Sequence, residues 1–196
     1  MKSIIFDIDG TLTNMWPIEK SVLLRMTNRR YEKRFEGLKM SGISDTYMIF
    51  TKATGQKLTK AVYWRWYNRA FEKSVLEKKL PQPQRYPIVD WIKANKNNCR
   101  FIYATGGQEK ETQYVLDRLG IRKYFDIENS ITKNQCRFSK RTGIPFRKIK
   151  KKFGDCIVIA DGGNDYKGAR KANLGFLKIK PGATFKRKTI GRSFDL

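Results

Sequence analysis

The sequence predicts an α/β protein, a parallel sheet flanked by helices and interrupted near its start by an all-helical insertion. Three observations predict it. Apolar runs at residues 4–6, 100–104 and 156–160 each end in a loop of small, hydroxyl or acidic residues. Amphipathic segments of helical period lie between the last two runs. The stretch 14–84 holds helical periodicity and a dense aromatic cluster at residues 63–71. The expected division is a core of residues 1–13 and 85–196, with 14–84 as the insertion.

The first run feeds Asp7-Ile8-Asp9-Gly10-Thr11-Leu12-Thr13. A two-residue period puts Asp7 and Asp9 on one side while the chain is extended, and Gly10 permits a close turn. Two acids at the carboxyl end of a strand suit a hard cation, and Mg²⁺ is the first candidate because it accepts few protein ligands and keeps waters for a phosphate. A bland Asp-Gly turn would give the same letters.

In the insertion, helices are expected at residues 18–35 and 44–53, separated by Gly37 and Ser41-Gly42. Leu58, Val62, Trp66, Ala70, Phe71 and Val75 recur at helical spacing and predict a long amphipathic helix over 59–79. Trp64, Trp66 and Tyr67 suit a core, with base stacking the sharper alternative. Pro81-Gln82-Pro83-Gln84 ends the helix and reads as a hinge.

A short helix over 87–94 precedes the second strand, which ends in Thr105-Gly106-Gly107 before a helix over 109–119. Free N–H groups at such a junction can seat a phosphate. Residues 124–127 suggest a further short strand, and 133–147 read as polar and irregular. The third apolar run ends in Asp161-Gly162-Gly163-Asn164-Asp165, then a helix over 165–172 and a strand over 174–179. Ligands of open α/β sheets bind at the carboxyl ends of strands, so acid pairs from two strands can converge on one cation.

Among 196 residues there is no histidine, which excludes Ser-His and Cys-His nucleophilic machinery and leaves carboxylates, lysines and tyrosines to move protons. Cys99, Cys136 and Cys156 show no metal-ligand spacing and read as core thiols. No apolar run approaches a membrane span and Asp7 breaks the N-terminal one, so a cytoplasmic protein without a membrane partner is expected. Forty-two Lys and Arg against eighteen Asp and Glu give +24, which attracts polyanions at low salt and raises nucleic acid as a partner. The candidate contacts are Lys57, Lys60, Arg65 and Arg69, with Lys186, Arg187 and Lys188 in the tail.

Together these residues resemble the haloacid dehalogenase superfamily of phosphatases. Asp7-Ile8-Asp9-Gly10-Thr11-Leu12 is similar to the family's first motif, the strand closed by Thr105 to its second, and Asp161 with Asp165 to its fourth. Ser139-Lys140-Arg141-Thr142-Gly143-Ile144-Pro145 resembles the context of its lysine, with Lys133, Lys148 and Lys150 as rivals. The insertion resembles the helical cap of the phosphoglycolate phosphatase and β-phosphoglucomutase branch, and Gly42-Ile43-Ser44-Asp45 sits where that branch often contacts substrate. The basic balance is not a trait of that branch.

The resemblance implies a Rossmann-like core and an inserted cap domain. It implies Asp7 as nucleophile, Asp9 as proton donor and acceptor, and Thr105, Gly106 and Lys140 as phosphate ligands, with Thr11 and Gly107 beside them. Mg²⁺ would be held by Asp7, the Asp9 carbonyl and Asp161, with Asp165 in or just outside that set. The expected activity is hydrolysis of a small phosphate monoester such as phosphoglycolate, a sugar phosphate or a nucleotide. A nucleic-acid 3′-end phosphatase, a phosphomutase, and a non-catalytic nucleic-acid-binding protein on the same fold stay open.

Overall fold

The computed structural model describes residues 1–136 and 138–183. They fall into two compact units, Met1–Met15 with the chain from Pro83 onward, and Trp16–Gln82. Lys186, Arg187 and Lys188 lie outside the described residues.

The first unit is built on β1 (Lys2–Phe6), whose Ile4, Ile5 and Phe6 are all buried. A strand apolar on both faces must be covered on both, and this one is central in a parallel sheet.

That second unit holds α1 (Trp16–Met26), α2 (Glu32–Met40), α3 (Thr46–Thr54) and α4 (Lys60–Leu76). The expected helix over 18–35 is two helices, broken where Asn28 and Arg29 take positive φ of 48° and 64°. Gly37, expected as a break, lies inside α2. Asp45 caps α3 by accepting from the N–H groups of Tyr47 and Met48, and Thr59 caps α4 through Val62 N–H. The aromatics form a core: Tyr63 lies 5.4 Å from both Tyr47 and Phe50 and 5.8 Å from Tyr67, ring to ring. Only Trp66 of the three candidate stacking residues is exposed.

In the first unit the chain continues through α5 (Ile88–Ala94), β2 (Cys99–Tyr103), α6 (Glu109–Arg118), α7 (Ile144–Phe153), β3 (Cys156–Ala160), α8 (Gly163–Lys171) and β4 (Gly175–Lys178). The strands run parallel in the order β2-β1-β3-β4. Ile5 pairs with Ile102 and Val158, and these pack with Phe146 and Ile149 of α7 and Ala169 of α8 on one face. Phe6 and Phe101 point the other way, meeting each other at 5.9 Å, while Trp91 of α5 meets Phe101 at 5.9 Å. Cys99, Cys136 and Cys156 are free, buried thiols.

Two expectations are corrected. Residues 124–127 form no strand; only isolated bridges Phe101↔Phe125 and Ala104↔Ile131 continue past β2. Side chains compete with the ladder there: Ser130 Oγ donates to the Asp126 carbonyl and accepts from Tyr103 N–H, and Asn129 binds the Asp126 carboxylate. The span 133–147 is not all irregular either. It contains a 3₁₀ turn at Lys140–Thr142 and the start of α7, which carries Pro145 in its first turn.

α8 packs on that 3₁₀ turn at a distance only glycine allows. A Cβ on Gly168 would fall 2.1 Å from the Lys140 carbonyl oxygen and 2.7 Å from Phe146 Cε2. Gly168→Ala should therefore lower the unfolding free energy by about 1–3 kcal/mol through overpacking, despite alanine's better helix propensity. Urea unfolding checks this; an unchanged or raised midpoint would show that the turn yields.

Candidate active site

Parallel register places the sequence-predicted acids at one edge of the sheet. Phe6 pairs with both Tyr103 and Ile159, so Asp7, Thr105 and Asp161 leave the carboxyl ends of three adjacent strands. Asp7 N–H donates to the Ile159 carbonyl, which continues the ladder one residue past β1. The loop then folds on itself: Leu12 N–H reaches the Ile8 carbonyl at 2.9 Å, and Gly10 N–H the Thr13 carbonyl at 2.8 Å. Gly10 has φ of +71°, and a Cβ there would lie 2.3 Å from Asp161 Oδ2. The turn is thus pressed against the Asp161 carboxylate, and glycine is required twice over.

Lys140 connects the acids. Its Nζ lies 2.7 Å from Asp7 Oδ2 and 2.7 Å from Asp165 Oδ1. Asp7 Oδ1 accepts from Ile8 N–H at 2.8 Å. Asp165, in the first turn of α8, is 3% exposed. The lysine is held from behind by Gly143, whose φ of +77° ends the 3₁₀ turn, and by the close approach of Gly168. Of the rival lysines, Lys133 and Lys148 are exposed, and Lys150 is turned to the Asn173 carbonyl and Asp155.

Burial works against the charge of Lys140, yet the carboxylates of Asp7 and Asp165 outweigh it and its pKa rises. Asp165 is raised first by burial and then by the charge of Asp7, with Lys140 acting against both. Asp161 is raised by burial, then by Asp7 and Asp9. Four acids thus share one neighbourhood with a single lysine among them.

Among the described residues no group of three or more His, Cys, Asp or Glu side chains stands ready to hold a metal. A smaller donor set fits Mg²⁺, which takes one or two carboxylates and retains waters. Asp7 and Asp161 can supply the carboxylates and Asp9 its carbonyl, since Asp9 Oδ1 is engaged by Met15 N–H at 2.8 Å. Asp165 is committed to the lysine.

Thr105 is buried and its Oγ1 accepts from Gly107 N–H at 3.1 Å, which orients the turn after β2. Gly106 is exposed with open space where a Cβ would stand, while Gly107 is crowded by Thr112 Oγ1. Thr11 is fully buried and its hydroxyl finds no partner among the described residues, so it belongs to the interior of the loop. Asp45, in the helical unit, caps α3. Tyr86 was not singled out by sequence reasoning. Its N–H donates to the Leu12 carbonyl at 3.2 Å, which ties it to the loop carrying Asp9, and its phenol is raised by burial and then by the charges of Asp9 and Asp161. No local pattern marks it, because its place depends on the return of the chain from the insertion.

Comparison with known proteins agrees with this fold. A profile of haloacid dehalogenase-like hydrolases matches residues 1–173. No curated protein sequence matches the chain. A family IA hydrolase of that type from Entamoeba histolytica superposes with a TM-score of 0.70 at 18% identity, covering 91% of this chain and 84% of that one. A predicted phosphoglycolate phosphatase from Haemophilus somnus gives 0.70 at 22% identity, covering 93% and 86%. CbbY from Rhodobacter sphaeroides, solved with phosphate, gives 0.68 at 19% identity, covering 95% and 89%. These likenesses are of fold, and the family match extends over nearly the whole chain. The chain belongs to the haloacid dehalogenase-like hydrolases.

Proposed function

We propose that this hydrolase is a Mg²⁺-dependent phosphatase acting on a small phosphate monoester through an aspartyl-phosphate on Asp7. The observation that carries the reading is Lys140 held 2.7 Å from both Asp7 and Asp165 at the carboxyl ends of the strands. An Asp7 oxygen bonds to phosphorus as the bond to the leaving oxygen breaks, and Asp9 gives that oxygen a proton. Water then attacks phosphorus, Asp9 takes its proton, and the bond to Asp7 breaks. Lys140, Thr105 and the Gly106 N–H are preorganised to bind the phosphoryl oxygens, where developing charge makes fixed donors count most. Bound Mg²⁺ would offset the repulsion between the carboxylates and the phosphate.

Asp165 acts in this scheme by fixing Lys140. The helical unit is proposed as the cap that excludes water and selects the leaving group. The predicted phosphoglycolate phosphatase and the phosphate complex of CbbY among similar folds support a small substrate, without identifying it. Among the described residues no helix is long and apolar enough to cross a membrane.

Asp7→Asn should keep the circular dichroism spectrum and abolish phosphate release, because the amide keeps the shape but cannot attack phosphorus. Retention of more than about one hundredth of the activity would overturn the nucleophile. Lys140→Met should lower kcat by about a hundredfold or more, the scale of losing a preorganised donor, in a phosphate-release assay. Chelation should remove activity, with Mg²⁺ restoring it and Zn²⁺ substituting poorly, since the donors are all oxygen. Full turnover after exhaustive chelation would rule the metal out.

A further inference from the structure

The net charge of +24 is not expressed evenly over the helices. α7 and α8 lie side by side: Arg147 Nη1 donates to the Lys171 carbonyl at 3.1 Å, and Lys150 Nζ to the Asn173 carbonyl at 2.8 Å. Their solvent faces are therefore continuous. α7 exposes Arg147, Lys148 and Lys151, and α8 exposes Lys167, Arg170 and Lys171. The one acid on either helix is Asp165, buried and paired with Lys140. By contrast α2 carries Glu32 and Glu36, α4 Glu72, α5 Asp90, and α6 Glu109, Glu111 and Asp117. Uncompensated cations on a rigid two-helix face form the electrostatic footprint of a polyanion.

An aromatic platform borders this face. Tyr166 of α8 is 44% exposed and meets Phe176 of β4 edge-on at 5.3 Å. The Arg170 guanidinium stands 5.9 Å from the Tyr166 ring, and its Nη1 is 3.3 Å from the Tyr166 hydroxyl. Both rings line a cavity of about 320 Å³ with Gly162, Gly163 and Lys178. Cations for phosphates beside an accessible ring for bases are the combination by which single strands are bound without sequence preference. A membrane surface is disfavoured by the same helix. A basic amphipathic helix needs its apolar face free to enter lipid, and Phe146 and Ile149 are 0% and 2% exposed, committed to the core.

We propose that the α7–α8 face, with Tyr166 at its border, is a docking surface for single-stranded nucleic acid. It is a binding property separate from the chemistry at Asp7, so its test reads binding alone and its outcome is independent of the phosphatase reading. The probe is a fluorescein-labelled oligothymidylate, followed by anisotropy of the full chain across a salt series. The wild type should show a log-log slope near −0.7 for each phosphate contact, about −4 if all six cations engage. The combined variant Lys151→Glu/Lys167→Glu/Lys171→Glu should bind more than tenfold more weakly, with a slope shallower by about 2. Tyr166→Ala should lose about tenfold in affinity at unchanged slope, as expected for a stacked base. A matched reversal of Lys57, Arg65 and Arg69 on the helical unit should leave the slope as it was. Equal losses from both triple variants, no loss from the α7–α8 triple, or binding to anionic phosphatidylserine vesicles in place of the oligonucleotide would each overturn the proposal.

Discussion

The site depends on one cation being placed between two buried carboxylates. Lys140 faces Asp7 and Asp165 at 2.7 Å each, and without it two buried acids would confront each other. Holding an ammonium there is a packing problem before it is an electrostatic one. The 3₁₀ turn that presents it is clamped between Gly143 and Gly168, where even a methyl group would collide with backbone or ring. Burying an ion pair is costly unless its geometry is fixed, and the glycines fix it.

A similar economy governs the acids. Asp7 and Asp161 need no dedicated scaffold, since each is the residue at which a buried strand ends. What is specific is the turn between Ile8 and Thr13, which folds tightly enough for Gly10 to touch Asp161 and for Asp9 to reach Met15 N–H. Three acids thus gain different surroundings within one small volume. Different surroundings are what allow chemically identical groups to take different roles.

Much of this is legible in the sequence, for physical reasons. Strands buried on both faces read as unbroken apolar runs, so β1, β2 and β3 and the acids at their ends are visible without a structure. α4 is visible from the helical spacing of Leu58, Val62, Trp66 and Ala70. Its buried stripe is the neighbouring one, Tyr63, Tyr67 and Phe71, with Trp66 exposed, because amphipathic aromatics blur which face is the apolar one. α7 is harder to see because its cations mask a sparse apolar set, Phe146, Ile149 and Phe153, though Pro145 and Gly154 mark its ends. The break at Asn28 and Arg29 has no glycine or proline to announce it. Choosing Lys140 over Lys133, Lys148 and Lys150 needs the packing of α8, and finding Tyr86 needs the hydrogen bond to Leu12. Such facts belong to contacts between distant parts of the chain, which local pattern cannot carry.

The strand order has a consequence for how the chain is made. β1 is synthesised before the strands it pairs with and sits in the interior of the sheet, with Ser3 paired to Arg100 on one side and Cys156 on the other. At about 5–20 residues per second, the ribosome needs on the order of ten seconds or more between the emergence of β1 and that of β3. Throughout that interval a strand carrying Ile4, Ile5 and Phe6 has an unsatisfied edge, and the closing contacts are the ones of longest sequence separation, the slowest kind to form. The helical unit emerges complete during the wait. Contacts within it, Arg25 to Glu77 among them, are therefore available before the sheet can close.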